Sequence, residues 1–269
     1  DFGATATQVV TITITGTNDA PVITTAVGGN ADTASESGVH PGNTAFAGDP
    51  DASGTLSSSD VDTGATAAWS GDATGTYGSF AIDASSGAWT YSLNNADGDT
   101  NALKQGAVVT DSFTATVTDD FGATATQVVT ITITGTNDAA VLSSDTRNLV
   151  ETNSVLSTSG TLTISDVDSS ETFVAQAGTV GTYGTFAIDT AGAWTYTASS
   201  AHNEFVAGTT YTDTFSVASA DGTMTSVTVN IGGTNEPVIA ITAIANDTGT
   251  SATDFLTNDT ELTVSGTNT

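Results

Sequence analysis

The chain has 269 residues, of which 30 are acidic and only two, Lys104 and Arg147, are basic, so its formal net charge is −28. It contains no cysteine, which excludes disulfides and thiolate metal sites. The lack of clustered basic residues argues against nucleic-acid binding, and no apolar run reaches the roughly 20 residues of a membrane helix. Hydrophobic residues make up 38% of the chain, so we expect it to fold despite its charge.

The excess of carboxylates has an electrostatic consequence. Two like charges 4 Å apart repel each other by about 4 kcal/mol at an effective dielectric constant of 20. Because almost no lysine or arginine is present to neutralise them, the natural counter-charge is a hard divalent cation held by oxygen ligands. Charge alone therefore makes cation binding the first functional hypothesis.

An internal repeat organises the chain. The string DFGATATQVVTITITGTNDA occurs at residues 1–20 and again, unchanged, at residues 120–139, and a diverged copy covers residues 221–236. Self-similarity at a fixed period indicates tandem modules. We predict four parts, which are the closing strand of a truncated upstream repeat (1–19), a first module (20–138), a second module (139–236) and the truncated start of a further module (237–269).

The predicted elements are strands. Residues 9–15 and their copy, residues 128–134, alternate apolar residues with threonine, which is the period of a strand with one buried face. Residues 80–82 and 89–91 predict a hairpin, and residues 186–188 and 194–196 repeat it in the second module. Many short strands per hundred residues predict an all-β fold of tandem antiparallel cadherin/Ig-like β-sandwiches with almost no helix. The strand at residues 9–15 has lost its own sheet.

Several strings carry a family resemblance. The run from Val117 to Ala139 resembles the end of a VCBS repeat, a bacterial cadherin-like module of giant type-I-secreted, RTX-type adhesins. The Leu-x-x-Ser-Asp-Val-Asp strings at 56–62 and 162–168 resemble the same family. The tail, residues 246–266, is similar to the start of a bacterial Ig-like repeat. The resemblance implies an extracellular, calcium-dependent extender on the bacterial cell surface.

Acidic and amide side chains recur at matched positions in the two modules. Asp60-Val-Asp62 and Asp166-Val-Asp168 each place two carboxylates on the same side of an extended chain. Oxygen ligands without histidine or cysteine favour a hard ion such as Ca²⁺ over zinc or copper. In cadherin-like modules an early Glu, a central Asp-x-Asp and a linker Asn-Asp converge on calcium. The resemblance thus implies these ligands: Asn18, Asp19, Glu36, Asp60, Asp62, Asp119, Asp120, Asn137, Asp138, Glu151, Asp166, Asp168, Asp221, Asn235 and Glu236.

Other interpretations of these residues remain open. The acids could form a solvated surface, and a pair of carboxylates could serve a glycosidase. A catalytic pair needs two different pKa values in one cleft, whereas here the same pair recurs in each module. His40 and His202 have no counterparts in the other module and are expected in loops, and no nucleophile elbow occurs. We therefore predict that the chain is not an enzyme.

The tryptophans are predicted to lie in the core of their modules, with one exception. Trp89 and Trp194 stand at alternate strand positions opposite apolar residues and are expected to be buried. Trp69 has no counterpart in the second module and is predicted to be exposed. It is therefore the best aromatic candidate for contact with a ligand such as a sugar.

Two classes of function compete at this point. The first is a calcium-stabilised structural extender of a large secreted or cell-surface adhesin, active in cell adhesion and biofilm formation, whose partners are neighbouring repeats. A cell-surface glycan or an abiotic surface would then be bound by domains outside this sequence. The second is a carbohydrate- or surface-binding module, or an accessory segment of a secreted depolymerase.

Overall fold

The computed structural model describes residues 2–40 and 42–235, together with the backbone of two strands at 239–244 and 264–268. The chain divides into two compact units. Unit 1 comprises the residues through Ala140 together with Asp166–Ser170, and unit 2 comprises Val141–Ser165 and the residues from Glu171 onward. None of the helices in the described part of the chain has the length and hydrophobicity needed to cross a lipid bilayer.

Unit 1 is built from eleven strands and one helical turn. Residues 2–20 form no strand and are exposed, including residues 9–15, for which the alternating pattern predicts a strand. The elements are β1 (Val22–Ile23), β2 (Ala31–Ser35), β3 (Gly38–His40), β4 (Thr44–Phe46), β5 (Asp51–Thr55), β6 (Ser58–Ser59), β7 (Ala67–Gly71), β8 (Gly78–Ile82), β9 (Ala88–Leu93), α1 (Gly98–Asn101), β10 (Val108–Asp119) and β11 (Thr124–Thr134).

Two sheets of unit 1 enclose its core. One sheet has the order β2-β11-β10-β7 and the other the order β5-β9-β8, while β1 pairs with β6 and β3 with β4. Strands β10 and β11 form a long hairpin that contains the strand predicted at residues 128–134, and β8 and β9 form the predicted short hairpin. Strand β2 runs parallel to β11, with Ala31 opposite Thr130 and Ser35 opposite Thr134. This pairing brings the residue after β2 to the end of β11.

The core lies where the inward residues of the two sheets meet. Trp89 and Tyr91 are each 1% exposed, and Phe80 stacks on Phe113 with 4.8 Å between the ring centroids. The prediction that Trp89 belongs to the core is therefore confirmed. Large aromatic side chains of this kind bury 150–250 Å² each and dominate the packing energy of a small sandwich.

One buried carboxylate ties strands of unit 1 together. Asp111 on β10 is 3% exposed, and its two oxygens accept hydrogen bonds from the backbone N–H groups of Thr76 and Tyr77 and from the Tyr91 hydroxyl. Burial raises the pKa of Tyr91, and the hydrogen bond to Asp111 adds to this effect. Asp111 is therefore a structural residue whose charge is satisfied within the fold.

Unit 2 repeats this plan with fewer elements. Its strands are β12 (Val141–Leu142), β13 (Asp145–Val150), β14 (Ser157–Thr161), β15 (Ile164–Ser165), β16 (Gln176–Val180), β17 (Gly184–Ile188), β18 (Ala193–Ala198), β19 (Thr210–Ala218) and β20 (Met224–Gly232). The backbone-only strands β21 (Ile239–Ile244) and β22 (Val264–Asn268) pair antiparallel. Most of residues 237–269, the predicted Ig-like start, lies outside the described residues.

The sheets of unit 2 have the orders β13-β20-β19 and β14-β18-β17-β16, and β12 pairs with β15. Trp194 and Tyr196 are each 1% exposed, as predicted for core residues. Asp213 repeats the role of Asp111, because it accepts hydrogen bonds from the N–H groups of Thr182 and Tyr183 and from the Tyr196 hydroxyl. The prediction of all-β sandwiches is confirmed, and α1 is the only helix in the described part of the chain.

Candidate metal centres

The residues predicted as ligands lie at strand ends and in the segments between strands. The parallel pairs β2–β11 and β13–β20 place an early glutamate of each unit beside the end of that unit's last long strand. Glu36 donates its backbone N–H to the Thr134 carbonyl, and Glu151 donates its own to the Gly232 carbonyl. A parallel partner strand thus fixes both glutamates in equivalent places.

Glu36 is fully buried, with no exposed surface. Its Oε2 accepts a hydrogen bond from the Thr136 backbone N–H at 3.0 Å, and the Thr136 hydroxyl donates to the Glu36 carbonyl at 3.0 Å. Its other carboxylate oxygen, Oε1, is buried and accepts no hydrogen bond. Burial raises the pKa of Glu36 to about 7, and the neighbouring charges of Asp138 and Asp168 act in the same direction.

Four carboxylates and one amide form the acidic cluster of unit 1, which consists of Glu36, Asn137, Asp138, Asp166 and Asp168. Asp168 is 6% exposed, and neither of its carboxylate oxygens accepts a hydrogen bond. Burial and the adjacent Asp166 carboxylate raise the pKa of Asp168 to about 6. Burial and the charge of Asp166 also raise the pKa of Asp138. Three stretches of the chain therefore bring their acids close enough to repel one another.

Backbone groups and a serine order this cluster. Asp166 Oδ1 accepts hydrogen bonds from the N–H groups of Asp168 at 3.1 Å and Ser169 at 2.8 Å. The Ser169 hydroxyl donates to Asn137 Oδ1 at 2.9 Å, and the Asn137 carbonyl accepts the Val39 N–H at 2.7 Å. The linker residue Asn137 is thus hydrogen-bonded directly to the segment that follows Asp166-Val-Asp168.

A second group of predicted ligands meets near the start of unit 1. Asn18 Nδ2 donates to Asp119 Oδ2 at 2.9 Å, and the Asp19 N–H donates to Asp62 Oδ2 at 2.8 Å. The hydrogen bond from Asn18 lowers the pKa of Asp119. Asp60 Oδ1 accepts the Asp62 N–H at 2.9 Å, while Asp60 Oδ2 is buried and accepts no hydrogen bond.

The remaining predicted ligands have other surroundings. Asp120 accepts hydrogen bonds from the backbone N–H and the hydroxyl of Thr66. Asp221 accepts hydrogen bonds from the hydroxyls of Ser219 and Thr223. Asn235 is exposed, and Glu236 lies outside the described residues.

Glu151 in unit 2 resembles Glu36. It is 2% exposed, its Oε2 accepts a hydrogen bond from the Thr234 hydroxyl, and its Oε1 is buried without accepting one. Threonines 136 and 234 were missed by the sequence reasoning. Their signal was available, because a Gly-Thr-Asn string precedes the linker acid in all three copies, at residues 16–18, 135–137 and 233–235.

The donor chemistry fits a hard cation, although the side chains are not gathered into a finished site. Buried carboxylate oxygens that accept no hydrogen bond, on Glu36, Asp60, Glu151 and Asp168, are the groups that Ca²⁺ would coordinate. Within the part of the chain that the structure describes, no group of three or more His, Cys, Asp or Glu side chains converges closely enough to hold a metal ion. A cation bound in the acidic cluster would therefore require the carboxylates to move closer together.

The prediction that Trp69 is exposed is wrong. Trp69 is 6% exposed, because it lies on β7 opposite Val117 of β10 and packs into the core of unit 1. Its partner in unit 2 is Phe173, which forms a bridge with Ser219, the residue equivalent to Val117. The chain between the Asp-x-Asp segment and this strand is two residues longer in unit 1, which hides the equivalence in an ungapped comparison. His40 also departs from its predicted loop, because it ends β3.

The fold and these acidic segments define a class, which is that of tandem cadherin-like β-sandwiches. The model of the bacterial cadherin-like domain matches residues 18–135 and again residues 137–233. The two matches cover most of the chain, so the chain belongs to the bacterial cadherin-like domain family.

Solved structures to which this chain is similar include cadherins and protocadherins. The protocadherin γB4 extracellular domain is 16% identical over 86% of this chain and 35% of its own length, with a TM-score of 0.46. Mouse cadherin-23 repeats EC22–24 are 16% identical over 85% of this chain and 69% of their own length, with a TM-score of 0.40. This chain therefore spans about a third of the length of that protocadherin. No curated protein matches the sequence.

Proposed function

We propose that this chain is a calcium-stabilised structural extender segment of a large bacterial adhesin that is exported to the cell surface. The observation that carries the proposal is the buried carboxylate of Glu36, whose Oε1 accepts no hydrogen bond while the charges of Asp138 and Asp168 lie nearby. A buried ion without a partner is strongly destabilising. Such an arrangement is expected where a bound cation completes the charge balance.

Calcium is the cation that fits the donor set best. Carboxylate, amide and backbone carbonyl oxygens are its preferred ligands, and it tolerates six to eight of them in irregular geometry. Glu36, Asp138, Asp166 and Asp168 would hold the ion, and its positive charge would remove their mutual repulsion. The Ser169 hydroxyl and the Val39 N–H, which bind Asn137, keep the linker in place beside these acids.

The acidic cluster combines residues from both sequence repeats. Glu36, Asn137 and Asp138 belong to the first repeat, whereas Asp166 and Asp168 belong to the second. We infer that cation binding stiffens the chain where one repeat follows another, so that a series of repeats acts as a spacer. The partners of this segment are then the neighbouring repeats. Contact with a glycan or an abiotic surface, and the role in adhesion and biofilm formation, belong to other domains of the adhesin.

An extracellular location on the bacterial surface agrees with the proposed calcium dependence. Extracellular calcium modules bind with dissociation constants of about 10⁻⁴ to 10⁻³ M, because calcium outside cells is abundant. Membership of the bacterial cadherin-like family supports an adhesive or spacer role, and a non-enzymatic function follows from that role.

The experiment that tests the proposal is thermal unfolding in millimolar calcium and in EDTA. A ligand that binds only the folded state at 100 times its Kd stabilises it by about 2.7 kcal/mol, so calcium should raise the melting temperature by several degrees. Magnesium at the same concentration should raise it less. Equal melting temperatures in calcium and EDTA would sink the proposal.

A matched pair of variants locates the effect. Glu36→Gln removes the buried charge, so we expect a higher melting temperature than the unchanged protein in EDTA at pH 8 and a smaller gain on adding calcium. Asp51→Asn makes the same chemical change at an exposed position and should leave both values unaltered. If Glu36→Gln retains the full calcium effect, the cation does not bind at the acidic cluster.

A further inference from the structure

A polar pocket in unit 1 lies apart from the acidic cluster of that unit. It has a volume of about 360 Å³, near the lower end of the range typical of small-molecule sites. Its lining includes Trp69, Asp60 and five serines at positions 57–59 and 85–86. It is therefore rich in hydrogen-bonding groups and contains one aromatic side chain.

Comparison of the two repeats shows where the lining of this pocket differs from the equivalent place in unit 2. The residue equivalent to Ser58 is Ile164, which packs against the core of unit 2. The residue equivalent to Trp69 is Phe173, which is 2% exposed. Both Trp69 and Phe173 donate their backbone N–H to a residue of the following hairpin turn, Ala84 or Thr190. The apolar Ile164 thus replaces Ser58 in unit 2, whereas Ser57, Ser59 and Asp60 correspond to the polar residues Thr163, Ser165 and Asp166. The hydroxyl of Ser58 and the longer hairpin turn are therefore the polar features of the pocket that distinguish unit 1 from unit 2.

The edge of the Trp69 ring faces the serine-bearing turn. A methyl group added at Gly87 would come within 3.0 Å of Trp69 Nε1, so the indole nitrogen lies beside the turn that carries Ser85 and Ser86. The hydroxyls of both serines donate to Asp83 Oδ1, and the Ser86 oxygen also accepts the Ala88 N–H at 3.3 Å. Each serine oxygen keeps a lone pair that can accept a further hydrogen bond. The turn is one residue longer than its counterpart in unit 2, and the extra length supplies a second hydroxyl.

The chemistry of the lining selects a neutral, hydroxyl-rich ligand. Asp60 is the one charged residue of the lining, and neither basic residue of the chain belongs to it. An anionic ligand would be repelled by Asp60 and by the net charge of −28. Serine hydroxyls both donate and accept hydrogen bonds. A ligand that complements this set must carry several hydroxyl groups and no negative charge.

We propose that the pocket of Trp69, Ser58 and the 85–86 turn binds a neutral pyranose sugar, such as the terminal residue of a glycan. Trp69 contributes its ring edge rather than a stacking face, because the rest of the ring is buried in the core. Specificity then comes from hydrogen bonds, which discriminate strongly against analogues that lack the matching hydroxyl. This site would be a glycan contact in addition to the one that the proposed function assigns to other domains, and it does not depend on the spacer role.

The test is a titration of the ¹⁵N-labelled chain with neutral monosaccharides, namely glucose, galactose, mannose and N-acetylglucosamine, in calcium-containing buffer. The chain has three tryptophans, so three indole N–H signals are expected. The signal of Trp69 should shift saturably with at least one sugar. The signal of Trp89, whose indole donates to the Gly29 carbonyl at 2.8 Å, should stay in place and serves as the internal reference.

The control variant is Ser58→Ile combined with Trp69→Phe, which installs the residues that unit 2 uses at these positions. Because unit 2 folds with them, we expect the variant to fold, as its melting temperature will verify, and to bind the sugar at least about tenfold more weakly. Glucuronic acid should not bind the unchanged protein. The proposal is overturned if no sugar shifts the Trp69 signal, if glycerol shifts it equally, which would show a merely hydrated pocket, or if the variant binds as well as the unchanged protein.

Discussion

His202 offers both of its ring nitrogens to hydrogen-bond acceptors. Nδ1 lies 2.8 Å from Glu204 Oε1, and Nε2 lies 2.8 Å from the Tyr183 carbonyl and 3.3 Å from the Ser199 hydroxyl. Only the imidazolium form can donate from both nitrogens. Burial lowers the pKa of His202, but the hydrogen bonds to Glu204 and the Tyr183 carbonyl, together with the charge of Asp213, outweigh burial and raise it overall.

This arrangement predicts a pH dependence of unit 2. A histidine whose folded pKa lies above its unfolded value of about 6.5 stabilises the fold fully below that value, and the contribution is lost as pH rises through the folded pKa. We therefore expect a lower unfolding free energy at pH 9 than at pH 6 in unit 2. An NMR titration of the His202 ring measures its pKa directly, and Glu204→Gln should lower it. A pKa at or below 6.5 in the unchanged protein would contradict the prediction.

Most of the candidate ligand residues could be named from the sequence, but the groups that surround each of them in the fold could not. The matched Asp-x-Asp and linker positions could be found by comparing the two repeats. That Glu36 is fully buried depends on the parallel pairing of β2 with β11, which residue order alone does not reveal. The partners Thr136 and Ser169 contact the acids through tertiary structure. Trp69 was misjudged because a two-residue shift concealed its equivalence to Phe173.

At the level of the individual element, the turn between β8 and β9 shows how little conformational and steric freedom a hairpin turn leaves for substitution. Gly87 has a φ of +69°, and a methyl group added to it would lie 2.3 Å from the Leu56 carbonyl oxygen. Gly106 has a similar φ of +74°, but no atom lies within 4 Å of the same added group. Substitution of Gly87 therefore combines backbone strain with steric overlap, whereas substitution of Gly106 introduces backbone strain alone.

We predict that Gly87→Ala destabilises unit 1 by about 3 kcal/mol, because it combines the left-handed backbone with a clash against the backbone between β5 and β6. Gly106→Ala should be destabilising by about 1 kcal/mol, the penalty of the left-handed conformation alone. Urea denaturation of the two variants measures both values. Equal losses would mean that the Leu56 segment can move aside without cost.

Alternating hydrophobicity predicted strands that are regular, including β8, β9 and most of β11. It did not predict the hairpin β3–β4, which has no counterpart in unit 2, or the helical turn α1. Nor did it predict strand β7, which pairs with β10, or strand β16, which pairs with β17. These features depend on which sheet edge a short strand reaches, and a segment of three to five residues carries too little pattern to decide between two edges.

For the molecule as a whole, a net charge of −28 is the dominant electrostatic fact. Charges of one sign repel one another in the compact state, and salt screens them over a Debye length of about 8 Å at 0.15 M. In EDTA, raising sodium chloride from low to physiological concentration should therefore raise the melting temperature. The effect should shrink near pH 4, close to the pI of about 4.1, where many carboxylates are protonated. A melting temperature that is insensitive to salt at pH 8 would argue that interactions within the fold already compensate the repulsion between the carboxylates.

The five residues Asp166–Ser170 lie within the second repeat in sequence yet belong to the first compact unit in space. A gene fragment that ends at residue 140 would encode a polypeptide without Asp166 and Asp168, and Glu36 would be left with an incomplete set of neighbours. Recombination between the identical stretches at 1–20 and 120–139, by contrast, removes or duplicates a whole period and regenerates the same neighbourhood each time. Length can thus vary by complete periods during evolution, whereas a single excised repeat is not an autonomous piece.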